Sequence, residues 1–195
     1  MGNKVKFNIC NVHYALFDKS KETISYKKPV PMPGAVSISL EPNGEPESFY
    51  ADGIEYYTIS NNMGYDGDLE LALIPESFRI DVLMESADKN KVLVENSNSE
   101  TANFALIFEF DGDVNKIRHV LYNCSAARAK MEGKTNEEKR EVQPETISIH
   151  SRPLANGFVK SRTSDQTDAE VYKNWYKQIY MPTYEESEST GLGLA

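Results

Sequence analysis

Few residues in this 195-residue chain carry side chains that could act on a substrate or hold a metal. Cys10 and Cys124 are the two cysteines, and His13, His119 and His150 the three histidines. A cysteine nucleophile needs a base within hydrogen-bond reach. His119 is the histidine nearest to Cys124, but at five residues' separation the two fall on opposite faces of a strand by parity, so no dyad is expected. Asp111, Asp113 and Asn115 fill the first, third and fifth places of a calcium loop. Lys116, however, stands where the turn glycine belongs and Tyr122 where the bidentate glutamate belongs, so the stretch reads as a solvated hairpin turn. Asp66-Gly67-Asp68 reads the same way. Asn123-Cys124-Ser125 matches a glycosylation sequon, but with no secretory leader before it the site is not expected to be used. No catalytic residue, cofactor site or metal site is expected, and the inventory is that of a structural or interaction protein.

The bulk properties narrow the class further. Lys and Arg total 21 against 30 Asp and Glu, a net charge of −9 with histidine neutral. Affinity for phosphate backbones and anionic lipid comes from Lys and Arg, so an acidic chain is a poor ligand for either. Two lone thiols suit a reducing compartment. The opening MGNKVKF has no apolar leader core, and Lys6 replaces the Ser or Thr of a myristoylation signal. No apolar run reaches the roughly eighteen residues of a membrane span. A soluble product of the cytoplasm is expected.

The elements that must position these side chains are mostly strands. Val5, Phe7 and Ile9 alternate, and Val12 and Tyr14 continue on the opposite phase, which predicts a bulge between them. Pro29, Pro31 and Pro33 mark an edge or connector. Val36, Ile38 and Leu40 give a half-buried strand. EPNGEPE (41–47) is an acidic turn-rich loop. Residues 48–78, SFYADGIEYYTISNNMGYDGDLELALIPESF, join an aromatic strand, a glycine-punctuated turn, an alternating strand and a proline-started helix. Strand 54–59 is apolar or aromatic on both faces, so both faces are expected to meet something. Phe104, Leu106, Phe108 and Phe110 form the most apolar strand face, and Ile117, His119 and Leu121 return from it as a hairpin. Residues 128–140 are charged in both signs and read as an exposed loop. Strands follow at 146–150 and 158–159. Thr167-Asp-Ala-Glu170 is a capping-box pattern, and Val171, Trp175 and Ile179 recur at helical spacing behind it. The chain therefore reads as mainly β, a sandwich or barrel with one short helix on the sheet and a C-terminal helix, over residues 1–182. An acidic flexible tail follows at 183–195.

Several segments go beyond class. The 48–78 stretch resembles the central signature of the major tail proteins, or tail-tube subunits, of long non-contractile-tailed bacteriophages (siphophages). FALIFEFDGDVNKIRHVLYNCSAAR (104–128) resembles the same family's second signature. NKVKFNICNVHYA, PVPMPGAVSISLEPNGE and VYKNWYKQIY resemble further parts of it in the same order, so the resemblance covers nearly all of the chain to about residue 182. Where the family often has proline after the arginine of its second signature, this chain has Ala129.

The resemblance implies a tail-tube-like fold with no catalytic residues. Subunits would form hexameric rings that stack into a hollow tube inside the virion tail, assembled in the host cytoplasm. The tube would enclose a tape-measure protein, meet tail terminator and baseplate proteins, and conduct DNA into the host without binding it specifically. Phe49, Tyr50, Tyr56, Tyr57 and Tyr65 are the expected subunit-interface residues. Glu55, Asp68, Glu70 and Glu109, which alternate with apolar neighbours, are the expected bore-facing carboxylates. The loops at 41–47 and 128–140 are expected to reach neighbouring rings. Two other classes stay open: a carbohydrate-binding β-sandwich module of a phage tail, and a hydrolase with a scattered Cys/His site.

Overall fold

A computed structural model describes residues 2–18, 23–135 and 140–184. Residues 19–22, part of the charged loop (136–139) and most of the expected tail (185–195) lie outside the described residues. The elements in chain order are β1 (Lys6–Leu16), β2 (Val30–Pro31), β3 (Ala35–Asn43), β4 (Glu47–Ala51), β5 (Ile54–Ile59), β6 (Gly64–Leu71) and α1 (Glu76–Asp81), followed by β7 (Ser86–Ala87), β8 (Leu93–Val94), β9 (Phe104–Gly112), β10 (Ile117–Ala126), β11 (Glu145–Arg152), β12 (Lys160–Arg162) and α2 (Ala169–Asn174). The chain is mainly β with two short helices, as its alternation predicts.

Eight strands form one antiparallel sheet in the order β2-β1-β9-β10-β11-β6-β3, with β12 pairing the first half of β10. The sheet curls until β3 meets β1 without pairing to it, which makes a barrel with a seam. Tyr14, Leu69, Leu71, Phe104, Leu106, Phe108, Leu121, Ile147 and Ile149 fill its interior. Helix α1 contributes Phe78 to the same core, edge-on to Tyr14 (5.2 Å between centroids) and to Phe104 (5.5 Å). Edge-to-face pairs of this kind add to area burial. Glu145 anchors the helix by accepting from the Ile74 amide and from Arg79.

A second apolar layer lies outside the barrel. Ala15, Ala105, Ile107, Val120 and Tyr122 face outward from β1, β9 and β10, and Trp175 and Ile179 of the C-terminal segment cover them. Strand β9 is thus buried on both faces, which explains its near-continuous apolar run.

The phase switch in β1 is a bulge, with the register slipping between Cys10 and His13 and Asn11 at φ 51°. A second bulge, between Leu121 and Cys124 of β10, overturns the parity argument made for the cysteine. The extra residue turns Cys124 into the barrel core, on the side where His119 also lies. The cap of α2 differs by one position from the sequence reading. Asp168 accepts from the amides of Glu170 and Val171, while the Thr167 hydroxyl accepts from the amide of Ser164. Val36, expected to be on a buried face, is exposed.

Candidate functional site: a projecting aromatic hairpin and an acidic face

Strands β4 and β5 form a separate two-stranded ribbon that continues outward from the β3–β6 hairpin. Its tip is a two-residue turn in which Asp52 and Gly53 both take positive φ, 53° and 79°. Asp-Gly is a favoured pair for a turn of this hand, because its twist matches that of the strands. Register places Phe49 opposite Tyr57 and Ala51 opposite Ile54 on one side of the ribbon. Ser48 and Tyr50 lie on the other, opposite Thr58 and Glu55, with Tyr56 as the extra residue of a bulge. Both Ser48 and Thr58 donate to the Glu55 carboxylate, which closes the polar side on itself.

Among the described residues the apolar side has no cover. All six residues of β5 are exposed, Phe49 by 59%, Tyr56 by 69% and Tyr57 by 64%, and neither strand packs substantially on any other element. A lone hairpin is marginal in water, and contiguous exposed aromatic surface marks an interaction site. Tyr65 does not join this group. It sits in β6, packs against the barrel core and carries Lys160 over its ring.

The outer face of β3, β6 and β11 is polar. Cross-strand register lines up Ser37, Glu70 and Thr146 in one row, Ser39, Asp68 and Ser148 in the next, and Glu41, Asp66 and His150 in a third. Ser37 donates to Glu70 and Ser148 to Asp68, each at 2.8 Å. The sheet holds these rows close at Gly67, where an added Cβ would lie 1.9 Å from the Ser39 carbonyl oxygen. Hydrogen bonds from Arg152, and then from His150 and Asn43, hold the Asp66 carboxyl down at about 2.

Two of the four expected bore-facing carboxylates, Asp68 and Glu70, therefore share one open face. Glu55 stands apart on the hairpin. Glu109 is a correction: it is fully buried beneath the C-terminal segment and can line no surface. It accepts from Lys116 at 3.0 Å, from Arg118 at 3.1 Å and from Asn11. Burial alone would raise its pKa. The hydrogen bonds from Lys116 and Asn11 and the charges of Lys116 and Arg118 outweigh burial and lower it. Arg118 also lies over the Tyr172 ring (3.8 Å) and donates to the Tyr172 carbonyl, so the cluster ties α2 to the barrel. Alternation with apolar neighbours looks the same for a wet face and for a face covered by another element.

Among the described residues, Cys124 and His119 do not pair with one another. The Cys124 thiol, pushed up to about 12 by burial, points at the Leu121 carbonyl, while His119 stacks on Phe108. Asp111 pairs with Lys116, and Asp113 accepts from the Lys4 amide. Among the described residues no cluster of three or more His, Cys, Asp or Glu could hold a metal ion, and no helix is long and apolar enough to cross a membrane. In the charged loop, Arg128 pairs with Glu95 and donates to the carbonyls of Asn96 and Ser99.

His119 gives a pH prediction. Burial, together with the charges of Lys160, Arg162 and Lys6, lowers its pKa from 6.5 to about 4. A histidine held neutral in the fold binds fewer protons than the unfolded chain between those values. Stability should therefore fall as pH drops from about 6.5 towards 4, by on the order of 1–3 kcal/mol. His119→Phe should flatten that part of a urea-unfolding profile, and an unchanged slope would show that the imidazole is solvated.

No protein-family model matches the chain, and no curated protein matches it. Solved structures similar in fold include the following three. One is a chain of the anti-feeding prophage baseplate, determined by cryo-EM with six-fold symmetry, at 10% identity and TM-score 0.48, covering 83% of this chain and 96% of that one. The second is the sheath/tube terminator of an extracellular contractile injection system in its extended state, at 6% identity and TM-score 0.45, covering 82% and 98%. The third is the tube-terminating cap of the anti-feeding prophage, at 8% identity and TM-score 0.43, covering 82% and 93%. With TM-scores below 0.5, these likenesses carry neither a family nor an activity over to this chain.

Proposed function

We propose that this chain is a self-associating structural subunit of a phage tail tube, forming six-membered rings that stack around a bore. The observation that carries the reading is the β4–β5 hairpin, whose apolar side has no partner among the described residues of its own chain. A second copy is the partner that a building subunit always has at hand, and a head-to-tail contact between unlike surfaces closes into a ring when its rotation allows. The segment resemblances described above support the same reading. The tape-measure, terminator and baseplate proteins would be its further partners in the virion. Sedimentation velocity over a concentration series tests it: a discrete ring species should appear above a threshold concentration, and a monomer throughout would count against it.

In this reading the face bearing Asp68 and Glu70 lines the bore. Fixed negative charge repels DNA over about one Debye length, roughly 8 Å at physiological salt, so the genome passes without adhering. Asp68→Lys with Glu70→Lys should leave ring formation unchanged and slow DNA ejection from reconstituted particles several-fold. Normal ejection by tubes of the double variant would remove these residues from the bore.

Exposed Phe49, Tyr56 and Tyr57 are also rings of the kind that stack on sugars. A glycan array separates that reading, since saccharide binding by a strictly monomeric protein would favour a carbohydrate-binding module.

A further inference from the structure

The barrel has two unlike ends. At the α1 end, Phe78, Tyr14 and Phe104 close it. At the other end a cavity of about 370 Å³ opens between β1 and β3, walled by Phe108, Phe110, Ile38, Leu40 and Leu121. Cations surround this mouth. Lys6 lies 4.5 Å from the Phe110 ring and Lys160 4.1 Å from the Tyr65 ring. Arg162 pairs with His119 across β12 and β10, and the charges of Lys6, Lys160 and Arg162 all bear on that histidine. Among the described residues, no carboxylate forms an ion pair with Lys6, Lys160 or Arg162. On a chain of net charge −9, this is a local reversal of sign around an apolar cavity.

The hairpin is its complement. Residues 41–59 hold Glu41, Glu45, Glu47, Asp52 and Glu55 and not one Lys, Arg or His. The tip presents Ile54 beside Asp52, an apolar side chain flanked by a carboxylate, and both are exposed. No residue of β4 or β5 lines the chain's own mouth. We infer that the acidic hairpin of one copy docks over the cationic mouth of a neighbouring copy, with Ile54 in the cavity and Asp52 and Glu55 against Lys6 and Lys160. This rests on the self-associating reading above and names the two surfaces that meet. They are different surfaces of one chain, which is what a ring contact requires. Opposed charges here would set partner and register more than raw affinity.

Mixing two charge-reversed variants tests the pairing. Asp52→Lys/Glu55→Lys places a cationic hairpin against a cationic mouth, and Lys6→Glu/Lys160→Glu places an acidic hairpin against an acidic mouth. Each variant alone should stay monomeric, with association weakened at least a hundredfold. A 1:1 mixture should reassemble, because each hairpin then finds a mouth of opposite sign. If the mouth variant fails to fold, a photo-crosslinker replacing Ile54 in the otherwise unchanged chain should attach to residues around Lys160 and Ser39 of another copy. Assembly by either variant alone, a mixture that stays monomeric, or crosslinks mapped elsewhere would overturn the docking while leaving self-association intact. Parent protein that is monomeric at every concentration would overturn both. A small amphipathic anion retained in the mouth through assembly, detected by native mass spectrometry, would overturn the docking alone.

Discussion

Replacing Phe49 and Tyr57 together by serine should abolish self-association and leave the subunit folded. Both rings stand on the same side of the hairpin, directly opposite one another, and are more than half exposed. Removing them takes little from the monomer, and surface substitutions of this kind change stability by about 0.5 kcal/mol or less. At an interface they would be anchors. Buried aromatic hot spots cost about 2 kcal/mol or more each when truncated, so the pair should weaken one contact roughly a thousandfold. Sedimentation velocity should show monomer at concentrations where the parent forms rings, with an unchanged melting temperature. Association within threefold of the parent would place the interface elsewhere.

The opposite pattern is expected at Glu109. Glu109→Ala should destabilise the subunit by about 3–5 kcal/mol, the usual cost of leaving a buried charge unpaired. Arg118, largely buried, would lose its carboxylate partner, and the tie between β10 and α2 through the Tyr172 carbonyl would slacken. Replacing both partners, as Glu109→Leu with Arg118→Met, should cost less than the single change, since no uncompensated charge remains. The pH dependence has a definite sign. The folded pKa lies below the ordinary carboxylate value, so the stabilisation is present at neutral pH and is lost as pH falls through that range and below. Urea unfolding at pH 7 and at pH 4 should show the variant losing less on acidification than the parent. Equal losses would mean that Glu109 is no more ionised in the fold than in the unfolded chain.

Much of this fold can be read from local pattern, because local pattern reports which faces are wet. The phase change after Ile9 marked the β1 bulge, and the alternation of Phe104, Leu106 and Phe108 marked the core face of β9, while the burial of its other face, through Ala105 and Ile107, went unread. Proline at position 75 marked the start of α1, where it serves as the residue just before the first turn. Misreadings came where a distant element changed the meaning of a face. Glu109 read as exposed because nothing near it in sequence shows that α2 lies over it. Its partners Lys116 and Arg118 were the available signal, since the β9–β10 register sets Arg118 directly opposite. Cys124 was assigned to the wrong face because one bulge residue reverses parity and leaves no mark in composition. The exposed hairpin was half legible: its aromatic density was plain, but density alone does not separate a core strand from an uncovered ribbon. The cationic mouth was invisible, because β1, β6 and β12 bring Lys6, Tyr65 and Lys160 together from three distant stretches.

Electron microscopy of the purified protein at high concentration bears most directly on whether this chain builds with copies of itself. Closed rings with a central opening, stacking into tubes as concentration rises, are expected. A field of single particles the size of one subunit, across every concentration, salt and temperature tried, would contradict it.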